Sequence, residues 1–147
     1  MTANDILQAI ASIIVTEYPT KSVYTGRITS GADGNFFVRI ANTRTEPELN
    51  DRVHKIISIE IIYFVANDDS LKFNDVSDTL SEALQSITVT ADGKQFIMYP
   101  TAISTFKNDT NMYQIMLDIS IHPRYKIEAI EADEELMEEL YQNNTGG

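Results

Sequence analysis

Residues 53–65 read VHKIISIEIIYFV, and this stretch decides the fold. Its odd positions, Val53, Lys55, Ile57, Ile59, Ile61, Tyr63 and Val65, make one face. Its even positions, His54, Ile56, Ser58, Glu60, Ile62 and Phe64, make the other. Alternation with period two is the mark of a β-strand, and the odd face has the apolar density of a core face. The even face raises a question, because Ile56, Ile62 and Phe64 stand where a solvated face carries polar residues.

Upstream, KSVYTGRI (residues 21–28) and NFFVRIANTR (35–44) are strand-like, with Phe36, Val38 and Ile40 on one face of the second. The turn-rich TSGADG separates them, and TEPELND breaks the pattern before the long strand. Three strands joined by short polar loops predict an antiparallel meander. Before them, Ile6, Leu7, Ile10, Ile13 and Ile14 recur at helical spacing, with Asn4 or Asp5 as the expected cap and Pro19 as the stop. Downstream, Val76, Leu80, Ala83, Leu84 and Ile87 predict a second helix capped by Asn74 or Asp75. ADG is a turn, and KQFIMYPTAISTF reads as a strand interrupted by Pro100, at an edge or a bulge. MYQIMLDISIH alternates, with Tyr113, Ile115, Leu117, Ile119 and Ile121 facing in and Gln114, Asp118 and Ser120 facing out. A short last helix at about residues 133–142 presents Leu136, Met137, Leu140 and Tyr141. The expected fold is therefore α+β, a two-layer sandwich in the order α-β-β-β-α-β-β-α. Its sheet is mostly antiparallel, and the helices lay their single apolar stripes on one face.

At 147 residues the chain is expected to form one domain, 1–147, burying roughly two-thirds of its unfolded surface. It has no cysteine, so disulfides, thiolate metal sites and cysteine nucleophiles are excluded. The opening MTANDILQAI lacks the pattern of a signal peptide, and no apolar run reaches the ~18 residues needed to span a bilayer, which predicts a soluble protein made in the cytosol. The net charge is −11, with seven acids and no base in residues 128–147, leaving 15 acids against 11 bases and a net −4 in the first 127. Such a surface repels phosphate and argues against specific nucleic-acid binding. The acidic end reads first as a solvated helix face followed by a frayed tail.

No catalytic constellation emerges. His54 and His122 lack metal-ligand or acid–base spacing, ADGKQ lacks the rest of a phosphate loop, and SGADG (residues 30–34) is a hairpin-type turn. There is no Asp-x-Asp-x-Asp-Gly calcium loop and no Gly-x-Ser-x-Gly elbow. The reading is of a protein that is not an enzyme, with no cofactor and no metal.

The ordered set resembles the tail terminator family of tailed phages and prophages, in the type carried by Gram-positive hosts. An Ile-rich opening helix ending EYP is followed by VYTGRI, NFFVRI, and ELNDRVHKIISIEIIYFV, where Arg52 precedes the long strand closing on Ile62, Tyr63 and Phe64. Then come VSDTLSEALQSI, a loop with Asp109 leading to YQIMLDISI, and a short helix with Met137 and Leu140. The match covers essentially the whole chain. One departure is NDTNMY, where the family often has a Gly after the loop Asp.

The resemblance implies a structural role: a ring, usually of six subunits, that sits on the last ring of the tail tube, stops its polymerisation and offers a surface to the head connector. Its implied partners are other copies of itself, the tail tube protein and the head connector or neck protein, with no membrane partner, in the virion tail of a phage assembled in a bacterial cytoplasm. A ring supplies one cover for Ile56, Ile62 and Phe64, the candidate subunit interface, each contributing on the order of 1.5–3 kcal/mol on burial before association costs. The other cover is the third helix or a loop of the same chain. The loop of residues 42–52, carrying Arg44, Glu46, Glu48, Asp51 and Arg52, is a candidate tube contact. Glu134, Glu135, Glu138 and Glu139 form a candidate acidic surface that would let DNA pass a lumen without sticking. A neck or head-closure connector, a small oligomeric ligand-binding module and a carboxylate-based enzyme are the competing readings.

Overall fold

The computed structural model describes residues 1–26, 34–49, 52–65, 69–107 and 112–121. The order is α1 (Ala3–Glu17), β1 (Val23–Tyr24), β2 (Phe36–Pro47), β3 (Val53–Phe64), α2 (Ser70–Ala83), β4 (Ile87–Ala91), β5 (Lys94–Met98), β6 (Ala102–Lys107) and β7 (Met112–Ile121). The fold is α+β and its sheet is mostly antiparallel, as expected. The third helix, the acidic end and His122 lie outside the described residues.

Strand β3 sits at the centre of a five-stranded sheet ordered β1-β2-β3-β7-β6. Its odd face is the core face: Ile57, Ile59, Ile61 and Tyr63 join Tyr113, Ile115, Leu117 and Ile119 of β7 and Phe36 and Val38 of β2. The same cluster takes in Ile6, Leu7, Ile10 and Ile14 of α1 and Phe73, Val76 and Leu80 of α2, so both helices lay their stripes on this face. Phe73 stacks on Tyr113 with ring centroids 4.2 Å apart, tying α2 to β7.

Several local expectations are corrected. The meander is not wholly antiparallel: β1 is two residues long and pairs with β2 in parallel, Val23 opposite Phe36 and Tyr24 opposite Phe37. α1 is capped by Thr2, not by Asn4 or Asp5. The Thr2 hydroxyl accepts from the Asp5 N–H, and the Asp5 carboxylate accepts from the Thr2 N–H at 2.6 Å, a capping box that starts the helix one residue before Asn4. α2 starts at Ser70, capped by Asp69, whose carboxylate accepts the Lys72 N–H at 3.1 Å. Phe73 thereby becomes the first member of its buried stripe.

Ile87, taken as the last residue of the α2 stripe, instead opens β4, where ITVTA alternates buried and exposed. β4 and β5 form a separate two-stranded hairpin around Asp92 and Gly93, with φ of 52° and 71°. Two consecutive left-handed residues make the tight turn whose twist matches that of the strands. Pro100 does more than interrupt one strand: the segments on either side, β5 and β6, belong to different sheets.

Candidate assembly surfaces

The even residues of β3 lie on the sheet face opposite the core cluster, and their register builds that surface row by row. Phe37 lies opposite Ile62, Arg39 opposite Glu60, and Asn42 opposite Ser58 on the β2 side. On the β7 side Ile62 faces Gln114, Ser58 faces Asp118, and Ile56 faces Ser120. Ile62, one of the three candidate interface residues, is only 7 % exposed, whereas Ile56 and Phe64 are half-buried. So Ile62 has little area left to bury on association, while Ile56 and Phe64 keep some.

Between these apolar positions runs a polar seam. Glu60 is the one buried charged side chain among the described residues. It accepts from Arg39 Nε at 2.5 Å and from the Gln114 side-chain amide. Ser58 Oγ donates to Asp118 Oδ1 at 2.6 Å, and His54 Nε2 is hydrogen-bonded to Ser120 Oγ. Gln114, Asp118 and Ser120, expected to face solvent, are thus engaged across the second face. Glu60, set in the middle of an isoleucine-rich strand, was the signal for this seam.

Most of the predicted loop of residues 42–52 is strand. β2 runs to Pro47 and β3 begins at Val53, pairing from Asn42–Ser58 to Pro47–Val53, so the two strands make a long hairpin arm. The reason is a β-bulge: the register shifts between Ile40 and Asn42, leaving Ala41 as the extra residue. Before the bulge the even residues of β2 face the core; after it the even residues Asn42, Arg44 and Glu46 share the second face with Ser58, Ile56 and His54. One extra residue thus inverts the parity of the strand and hides its alternation.

On the arm, Arg44 Nε pairs with Glu46 Oε1 at 2.8 Å. His54 Nδ1 lies 3.9 Å from Glu46 Oε2 and 3.6 Å from Glu48 Oε1. The Glu48 N–H donates to the Arg52 carbonyl at 2.8 Å, closing the arm near its tip, where Leu49 is 88 % exposed. Arg44 and Glu46 are therefore on the strand pair, with Glu48 and Arg52 just beyond its ends and joined through their backbones. Glu134, Glu135, Glu138 and Glu139 lie outside the described residues.

A groove of about 570 Å³ runs between α1 and β4, lined by Gln8, Ser12, Thr16, Ser86, Thr88 and Thr90 among others. Ser12 and Thr16 donate to the helix carbonyls of Gln8 and Ser12, so these hydroxyls are spent on the backbone rather than aimed at a common point. Among the described residues no group of three or more His, Asp or Glu is placed to hold a metal ion, and no helix is long and apolar enough to cross a membrane.

No curated protein matches the sequence. One solved protein is 14 % identical, the match covering 83 % of this chain and 95 % of that one with a TM-score of 0.49. A chain from the virion of a native gene transfer agent particle is 13 % identical, covering 77 % of this chain and 82 % of its own, with a TM-score of 0.45. A family model described as phage tail terminator protein matches residues 5–131, from the first turn of α1 to beyond the end of β7. The chain belongs to the phage tail terminator protein family, a family of structural components of the phage virion.

Proposed function

We propose that this protein closes the tail tube as a ring, with six copies as the expected number, stops further tube polymerisation and presents the surface that joins the head. The observation that carries the reading is the family match over residues 5–131. The geometry supports it with two features outside the core: a sheet face with half-buried Ile56 and Phe64, and a hairpin whose end, from the Glu46–His54 pair onward, runs past β7 to the exposed Leu49. Ile56 and Phe64 contact a neighbouring subunit, with Ile62 as the packed floor beneath them. Arg44, Glu46, Glu48 and Arg52 meet the tube, where their charge pattern sets partner choice more than affinity.

Three experiments test the reading. Six copies of 16.5 kDa appear at about 99 kDa by native mass spectrometry, alone or on isolated tube ends. Removing the protein from the producing phage or prophage gives overlong tails; finished tails of normal length that fail to join heads assign it instead to the neck. Reversing the charges at Arg44 and Glu46 together abolishes capping while the ring persists. Unchanged capping removes the arm from the tube contact.

A further inference from the structure

Aspartate is followed by glycine twice in the chain, at residues 33–34 and 92–93. The pairing matters because an aspartyl carboxyl carbon lies within reach of the next backbone nitrogen, and glycine there has no Cβ to crowd the approach. Those two atoms can close a five-membered imide, provided the fold leaves the nitrogen free. The Gly34 N–H is not free: it donates to the Phe64 carbonyl at 2.7 Å, and the Lys21 side chain fills the space a Cβ would take. Gly93 is the second residue of the turn between β4 and β5, whose ladder ends at the Ala91–Lys94 pair. Its N–H has no acceptor among the described residues, and a Cβ placed on it would meet nothing within 4 Å.

The carboxyl is as accessible as the nitrogen. The Asp92 side chain is 80 % exposed, and the Met1 ammonium lies 3.8 Å from it, beyond hydrogen-bond range. Asp92 also starts from an unfavourable backbone. Its φ of 52° is in the left-handed region, where a Cβ crowds the following carbonyl oxygen. Ring closure takes the residue out of that conformation. The hairpin can yield there without breaking any pairing of the five-stranded sheet, because β4 and β5 form a sheet of their own.

We infer that Asp92 is a site of spontaneous aspartyl-to-isoaspartyl isomerisation, and that the bond from Gly34 to Phe64 protects Asp33 from the same reaction. In the first step the Gly93 nitrogen attacks Asp92 Cγ. A C–N bond forms, and the hydroxyl of the protonated carboxyl leaves with the amide hydrogen as water. In the second step water adds at the former main-chain carbonyl of the imide and breaks the original peptide C–N bond. The chain then runs through Cβ and Cγ, with a free α-carboxylate. The product is an isomer of the starting chain, and water is the only other reactant. A two-residue turn closed at Ala91–Lys94 cannot hold the extra backbone atom, so the end of the hairpin opens. A virion component is not replaced after the particle leaves its host, so slow uncatalysed chemistry of this kind accumulates in it.

The test needs no variant. The purified chain is incubated for weeks in neutral buffer, one portion folded and one in guanidinium chloride, and both are then digested with trypsin. Cleavage after lysine and arginine puts the two sites on separate peptides, residues 28–39 and 73–94. Electron-transfer fragmentation locates isoaspartate within each peptide. The denatured portion converts at both sites and sets the reference. Relative to that reference, conversion in the folded portion should be several-fold greater at Asp92 than at Asp33. Equal conversion at the two sites, or more at Asp33, overturns the inference. A folded portion in which neither site converts overturns it too, because the turn then holds Asp92 closed.

Discussion

The Glu60–Arg39 pair should respond asymmetrically to the loss of its two ends. The Glu60 side chain is 5 % exposed and the Arg39 side chain 53 %, so only the arginine can turn to water when its partner is removed. Arg39→Met leaves a carboxylate that cannot rehydrate, held only by the Gln114 amide. Breaking a fully buried pair costs about 3–5 kcal/mol and an exposed one at most about 1, so a pair buried at one end is expected to cost about 2–3 kcal/mol. For a chain of this size that is a fall in Tm of about 5–10 °C. Glu60→Leu removes the buried charge and frees Arg39, and is expected to stay within about 1 kcal/mol of the parent. The double variant should match Glu60→Leu alone, the deficit of Arg39→Met being cancelled rather than added. Urea unfolding of the four proteins reads this, with the slope unchanged and only the midpoint moved. Equal losses from the two single variants, or a larger loss from Glu60→Leu, would refute the reasoning.

Other outcomes follow from single sites. The Thr2 backbone N–H, and after it the Thr2 hydroxyl, hold the Asp5 carboxyl below its ordinary value of 3.8. The stability this provides is fully present above that value and is lost as the pH falls through the lower folded-state value. Asp5→Asn should therefore melt below the parent at neutral pH, with the gap closing under acid; a gap constant with pH would count against the capping box. Phe73→Ala removes the ring stacked on Tyr113 and should cost about 3–5 kcal/mol in denaturant unfolding, the cost of a large cavity that α2 cannot collapse into. Phe64→Glu, at a half-buried position, should leave the monomer folded by circular dichroism and remove the 99 kDa species; a ring that survives it does not use Phe64.

How much of this was readable beforehand follows from how far local pattern fixes structure. β3 and β7 are central strands buried on one face, so their period-two pattern is unbroken, and all eight inward residues from Ile57 to Tyr63 and from Tyr113 to Ile119 lie in the core. The stripes of α1 and α2 were equally plain, but their starts were not. Thr2 and Asp69 cap by reaching forward to the backbone, and Asp5 and Asp75 were equally good candidates by residue type. Ile87 misled because a buried strand residue three after Leu84 also fits helical spacing. The arm was hidden by the bulge at Ala41. The second-face seam depends on which strands become neighbours, and β3 beside β7, 60 residues on for Ser58 and Asp118, is a tertiary fact.

Beyond Ala41 the arm contributes little to the core, and its length is constrained by geometry instead. Adding or deleting a single residue in each strand just beyond the Thr43–Ile57 pair would turn Arg44, Glu46 and His54 to the opposite face, because side chains alternate strictly along paired strands. Adding two residues on each side would keep every face and move the tip outward by about 6.8 Å. The arm therefore behaves as a ruler graduated in even steps. If the arm meets the tube as proposed, homologues that fit tubes of different dimensions are expected to differ here by pairs of residues, and to leave the sheet behind the bulge untouched.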